Sequence, residues 1–353
     1  MYLPKKLLRK FILLTFISFN LTSGEYEPVY DNQIDVNNFF ESDPQDKSSR
    51  EELIELHALK SVNLSQSFDL FRSGLLAVNN NSIMVYDYQH KSLFQFDYEF
   101  NLIGEYGREG RGPEEFVNPT DLMTDDTGYF WIVDGRNSRI TRWSDKGEMV
   151  FEQPVSLGLV PHRFAPMSDD MFVLFSLMGQ FSMHTVDLEG KIQNSFLSVT
   201  GRNFSNKGLL LDGEITARED RIYYAGTRND LIKAYSQDGS LIYSRRVINP
   251  VNKEIENMND DQLRSAPLSA LDIQVFDGRL FILYGGAMGD PSRWRYLDVY
   301  ELNSGDYSHT FLLESFSRKF SINRFENGEV YLTVLGYFQN TREGALSIYK
   351  LPE

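Results

Sequence analysis

Asp121, Arg163, Glu214, Asp272 and Arg324 each sit in a segment whose neighbours otherwise read as buried β-strand. Charged groups this far apart in sequence meet only where strands converge, and there they hold a ligand or one another. A second candidate runs from Gly285 to Arg295, a Gly-rich stretch in which Arg293 and Arg295 flank Trp294. Trp and Arg dominate binding hot spots, and an aromatic face also stacks on rings of sugars or peptides. These eight residues, Asp121, Arg163, Glu214, Asp272, Arg293, Trp294, Arg295 and Arg324, form the expected ligand-binding set. No residue is expected to be catalytic.

Other chemistries find less support. His57, His90, His162, His184 and His309 are scattered, with neither an H-E-x-x-H motif nor a close pair, so a metal site is not signalled. No Cys is present and no G-x-S-x-G elbow occurs. The glycines of Gly107 to Gly112 have neither dinucleotide nor Walker spacing, and a strand follows them, which makes them a connection rather than a phosphate loop. No cofactor is expected. Asp134, Asn137 and Arg139, with Asp87 and His90 at the matching place upstream, are expected to satisfy backbone groups of their turns.

The elements that position these residues are announced by a repeat. An aromatic-rich β run, then Asp or Asn, then a turn Gly recurs at Phe94–Asp97, Ile140–Gly147, His184–Gly190, Ile232–Gly239 and Leu297–Gly305, and a last copy at Leu346–Lys350 stops near the C-terminus. Short strands with a period of roughly 40 to 50 residues spell a β-propeller. Within each repeat, turn residues such as Asp125–Gly128, Asp277-Gly278 and Asn327-Gly328 split strand pairs, and six inner hairpins imply six four-stranded antiparallel blades. The chain ends on a third strand, so the run Leu56–Val62 is expected to supply the missing fourth and close the ring, removing two sheet edges. Loops joining second to third strands, and blade to blade, then gather at one mouth of the central channel. The inner-strand charges and the 285–295 loop are expected on that face. The acidic excursion 249–267 is expected there too, with one short helix.

Gly107–Phe116, then Pro119-Thr120, then Val133–Ile140 resembles the NHL-type repeat, with its Gly-rich link ending in Phe, a Pro, and Asp, Asn, Arg and an aliphatic residue in order. From about residue 51 the chain is similar to secreted six-bladed bacterial propellers of NHL-like or TolB-like type. The resemblance implies fold and compartment and leaves the ligand open.

Lys5, Lys6, Arg9 and Lys10, then apolar Phe11 to Phe19, then Thr22-Ser23-Gly24 follow the order of a secretory signal peptide. The expected organisation is a signal at 1–24, a polar linker at 25–50 and a propeller at 51–353. The net charge of −15, taken to −19 by losing those four basic residues, repels nucleic acid and anionic lipid. The functional expectation is a periplasmic or secreted binding protein, with an envelope protein, peptide or glycan as partner and no stable membrane insertion after cleavage. The alternative is a propeller enzyme of lyase or lactonase type with a metal at the channel mouth. Export predicts that intact-mass measurement on envelope-fraction protein finds a soluble, unacylated chain beginning near Glu25; Met1–Gly24 retained in a membrane pellet contradicts it.

Overall fold

The computed structural model describes residues 33–154, 160–168, 170–200, 207–252, 254–286, 294–341 and 343–352. The signal-like segment lies outside them. The described chain forms six antiparallel blades. Their inner strands are Ser73–Val78, Pro119–Thr124, Pro161–Ser168, Gly213–Arg218, Leu268–Phe276 and Phe316–Arg324 in blades 1 to 6. Each inner strand touches that of the next blade, and the sixth returns to the first. The hairpin tips carry the permissive residues that the sequence placed there, with Gly128, Gly278 and Gly328 all at positive φ.

Adjacent blades bury their apolar faces against each other. Leu75, Met84 and Tyr86 of blade 1 meet Leu122, Phe130, Ile132 and Trp143 of blade 2, and Val78, Ile83 and Phe96 meet Leu335, Leu346 and Ile348 of blade 6. Alternation along each strand is therefore apolar on both faces in the inner three strands, as a sheet sandwiched between two neighbours requires. The polar links fall where expected. The Asp134 carboxylate accepts from the Val117, Asn118 and Asn137 backbone N–H groups at 2.8, 3.0 and 3.2 Å, and Arg139 Nη1 donates to the Gly112 carbonyl at 3.0 Å. Asp87 does the same for Arg72, Gln89 and His90. These side chains fix the Gly-rich link and the turn. The excursion after blade 4 carries its short helix, Asp260–Ser265, opened by a capping box between Asn259 and Gln262.

Closure is achieved by Ala58–Asn63, which pairs antiparallel with Ala345–Tyr349 as the fourth strand of blade 6. The chain before it does more than link. Gln33–Asp35 pairs parallel with Ser198–Thr200 after blade 3, and a five-residue helix at Val36–Phe40 seats Phe39 and Phe40 in a core with Leu210, Leu211, Ile255 and Leu263. Asp43 bridges to Arg245 of blade 4, and Gln45 bonds the Arg246 and Gly305 carbonyls at 2.7 and 2.9 Å. Leu53–Glu55 then adds a fifth, parallel strand to blade 5 against Thr310–Leu312. The polar run expected as a linker is thus, from Gln33 on, a strap laid over blades 3 to 5. Low apolar content hid this, because its contacts are mostly backbone and amide bonds around two phenylalanines.

A ring joined by one strand predicts that deleting residues 1–63 produces an insoluble protein, or one melting at least about 10 °C lower, since a few kcal/mol moves the midpoint of a domain this size by several degrees. A melting curve equal to that of the full chain refutes the closure.

Candidate functional site

In five blades the ladder between inner and second strands slips near its start, between Ser73 and Leu75, Pro119 and Asp121, Pro161 and Arg163, Ala270 and Asp272, and Ser317 and Lys319. Such bulges re-aim the residue that follows. Four of those residues are charged, and Glu214, from the regular ladder of blade 4, joins them.

Glu214 is the hub. Its carboxylate accepts two bonds from Arg163, at 2.6 and 2.8 Å, and one from Lys319 Nζ at 3.0 Å. Lys319 donates again to Asp272 at 2.9 Å. The free oxygen of Asp272 accepts from the Phe320 backbone N–H, and Asp121 accepts from that of Phe164, both at 2.9 Å. Each aspartate therefore ties its own blade to the inner strand of a neighbour: Asp121 reaches from blade 2 to 3, Asp272 from blade 5 to 6. In blade 1 the matching residue is apolar Leu75, and the ring of Tyr88 lies over Gly74, where a Cβ would come within 2.4 Å of it. The Tyr88 hydroxyl donates to the Pro119 carbonyl at 3.0 Å.

Three carboxylates share two cations, and burial decides which stays charged. Burial alone would raise Glu214, but Arg163 and Lys319 overcome it and hold the carboxyl at about 2. Asp272 has only a share of Lys319 and the repulsion of Glu214, and burial pushes it up to about 6. Burial also raises Asp121. No ion-paired side chain here is more than 14% exposed, and every charge has a partner. The network is a latch between blades whose groups are already spent.

Four of the expected residues, Asp121, Arg163, Glu214 and Asp272, do meet. Arg324 does not. It stands at the hairpin end of the blade 6 strand, half exposed, paired with Asp277 at 3.0 Å, and the cation that reaches the network from that strand is Lys319. The signal that marks Lys319 is the pair it forms with the next residue. Asp121-Leu122, Arg163-Phe164, Glu214-Ile215, Asp272-Ile273 and Lys319-Phe320 all place a charge before a buried apolar side chain. Trp294 and Arg295 lie at the C-terminal foot of the 285–295 loop, where the Trp294 carbonyl accepts from Ser317 N at 2.7 Å, joining blade 5 to blade 6, and that of Arg295 accepts from Leu313 N at 2.9 Å within blade 5. Arg293 lies outside the described residues.

Between the strap and blade 5 opens a cleft of about 520 Å³ lined by Ser48, Ser49, Arg50 and Leu53 of the strap, Asn249, Pro250 and Val251 of the blade 4 to 5 link, and Tyr284 and Tyr296 of blade 5. The volume falls within the roughly 300–1,000 Å³ of small-molecule sites. Arg50 is its centre. The guanidinium grips Asp298 at 2.8 and 2.6 Å and stacks 4.0 Å from the Tyr284 ring and 4.9 Å from that of Tyr296. Burial opposes its charge, yet Asp298 holds it firmly protonated. Tyr284 and Tyr296 immediately flank the loop that the sequence singled out. Arg50 carried no signal, because its partner is 248 residues away. Among the described residues there is no cluster of three or more His, Asp or Glu placed to hold a metal, and no helix long and apolar enough to cross a membrane.

A family model described as a 6-bladed beta-propeller matches residues 63–204, the span of blades 1 to 3. No curated protein sequence matches the chain. Among solved structures, a member of the DUF4221 family from Bacteroides vulgatus aligns with a TM-score of 0.55 at 13% identity, covering 86% of this chain and 98% of that one. Virginiamycin B lyase from Staphylococcus aureus aligns with a TM-score of 0.49 at 13% identity, covering 83% and 88%. An identity of 13% speaks of the fold alone, and the all-β, six-bladed architecture stands on the blades themselves, on the family model and on the DUF4221 alignment.

The latch has two pH limbs of opposite sign. Asp272 binds its proton more tightly folded than unfolded, so the stability it contributes in acid is lost as pH rises from the ordinary 3.8 through about 6. Glu214 contributes stability above its ordinary 4.5 that is lost as pH falls through about 2. In urea titrations, Asp272→Asn should flatten the limb between about pH 4 and 6 and leave the acid limb in place. Lys319→Met, which takes the only cation from Asp272 and leaves Glu214 with Arg163 alone, should cost about 3–5 kcal/mol. An unaltered pH profile in the first variant, or wild-type stability in the second, removes the latch.

Proposed function

We propose that this chain is an exported binding propeller of the cell envelope whose ligand sits in the cleft between the strap and blade 5, on the mouth-side end of the blades, rather than in the channel. The carrying observation is the contrast between the two polar assemblies. Among the described inner-strand network residues every charge is already bonded within the protein, whereas the cleft presents an aromatic and hydroxyl-lined concavity of ligand size built around one pinned arginine. A preorganised site of this kind loses little entropy on binding, since Arg50 is held by Asp298 and two rings before any ligand arrives. Export is supported by the basic, apolar and small order of residues 5–24, and by the resemblance of the second blade to NHL-type repeats of secreted propellers.

The test is a ligand screen on the purified full chain, with Tyr296→Ala and Ser48→Ala as site variants, Arg163→Ala for the channel and Lys146→Ala as surface control. Truncating an aromatic anchor typically costs 2 kcal/mol or more, about thirtyfold in affinity. Tyr296→Ala should weaken binding by at least about tenfold and Ser48→Ala by roughly fivefold, with the control unchanged. Binding lost only in Arg163→Ala, in protein that still folds, moves the site to the channel. Turnover of a bound compound that EDTA abolishes replaces binding with the lyase or lactonase reading.

A further inference from the structure

The chemistry of the cleft narrows its ligand class, an inference that rests on the cleft being the binding site. We propose that it takes an uncharged carbohydrate, with one sugar ring packed on Tyr296 and its hydroxyls bonded to the strap and to Asn249.

Charge comes first. The ionisable side chains of the lining are Arg50, Tyr284 and Tyr296, and no carboxylate or lysine is among them. Arg50 is neutralised by the bidentate contact to Asp298, which is itself 1% exposed and further held by Thr310 Oγ1 at 2.6 Å. A charged ligand would meet an ion pair that is already compensated, on a protein of net charge −15 that repels anions at long range. Enclosing an uncompensated charge there would carry its desolvation cost without a matching partner.

Hydrogen bonding comes second. Five polar groups facing this lining have no partner among the described residues: Ser48 Oγ, Ser49 Oγ, Arg50 Nη1, Asn249 Nδ2 and the Tyr296 hydroxyl. The Asn249 amide oxygen is spent on the Arg50 backbone N–H at 3.0 Å, which fixes Nδ2 as the free end. An apolar ligand covering these groups would strip them of water and leave each unsatisfied. Three hydroxyls that both donate and accept, beside two donors, match the alternating hydroxyls and ring oxygens of a sugar.

Shape comes third. The half-buried ring of Tyr296 and the side chains of Leu53, Pro250 and Val251 give an apolar patch between these polar groups, as a pyranose with its C–H face and equatorial hydroxyls demands. An extended peptide would instead seek a free strand edge. Blade 5 offers none on its outer side, because Leu53–Glu55 of the strap already occupies it.

The experiment is a glycan array probed with the full chain, followed by calorimetry with the best neutral oligosaccharide, a uronic-acid oligosaccharide of equal length and a blocked peptide. Tyr296→Ala should weaken the neutral oligosaccharide at least tenfold and Tyr296→Phe, which keeps the ring, less than about threefold, with Ser48→Ala between them. Uronate or peptide bound more tightly than any neutral glycan, with the same dependence on Tyr296, overturns the carbohydrate class and leaves the cleft standing. Neutral glycan bound equally by Tyr296→Ala and Ser48→Ala overturns the cleft itself. No neutral glycan bound at millimolar concentration overturns the proposal.

Discussion

Two cations divided among three carboxylates tie the inner strands of blades 2 to 6 to one another. Hydrophobic contacts between blades tolerate sliding, because apolar faces have no preferred register beyond their shape. A carboxylate that must reach a particular N–H of the next strand does not. Asp121 and Asp272 supply that constraint across two of the blade junctions, and Arg163, Glu214 and Lys319 carry it through the blades between. Such a network is a poor source of net stability, since desolvation offsets most of the attraction, but it penalises every misaligned arrangement that leaves a charge unpaired. The bulges belong to the same device, for they turn the charged side chains toward one another.

The same logic divides the molecule into spent and available polarity. The charged groups of the inner-strand network, and Asp87, Asp134 and Arg139 at the turns and the Gly-rich link, are bonded within the chain. The cleft is built differently. Its arginine is immobilised by neighbours that leave part of its fork unused, and the hydroxyls beside it lie on a segment that crosses the blade edge rather than within the sheet. Rigidity comes from the sheet and the aromatic stack, openness from the strap.

What the sequence disclosed follows from which forces are local. Turn glycines, aromatic strand runs and their spacing are local, so six blades and the closing strand were legible from Leu56–Val62 and the unfinished last repeat. Convergence of Asp121, Arg163, Glu214 and Asp272 was legible because topology alone brings inner strands together. The choice of Arg324 over Lys319 failed on register: both lie on one strand of nine residues, and a bulge at its start decides which faces the axis. The strap was illegible for a different reason. Its affinity for blades 3 to 5 lies in backbone pairing, Gln45 and Arg50, none of which leaves a periodic trace, and the cleft inherits that obscurity because half of its lining is strap.

The strap also orders events in time. Its backbone pairings meet their partners in chain order, 33–35 with 198–200, Asp43 with Arg245, 53–55 with 310–312, and 58–63 with 345–349, while the side chain of Arg50 reaches back to Ile248 and Asp298. A chain growing from its N-terminus therefore completes the strand partners of the strap one after another, in the order in which the strap presents them. Its last step waits for the final strand, so the ring stays open until nearly the whole chain exists. Separations approaching 290 residues between paired strands make that step the slowest contact to find, and the unpaired edges of blade 6 remain exposed until it is made.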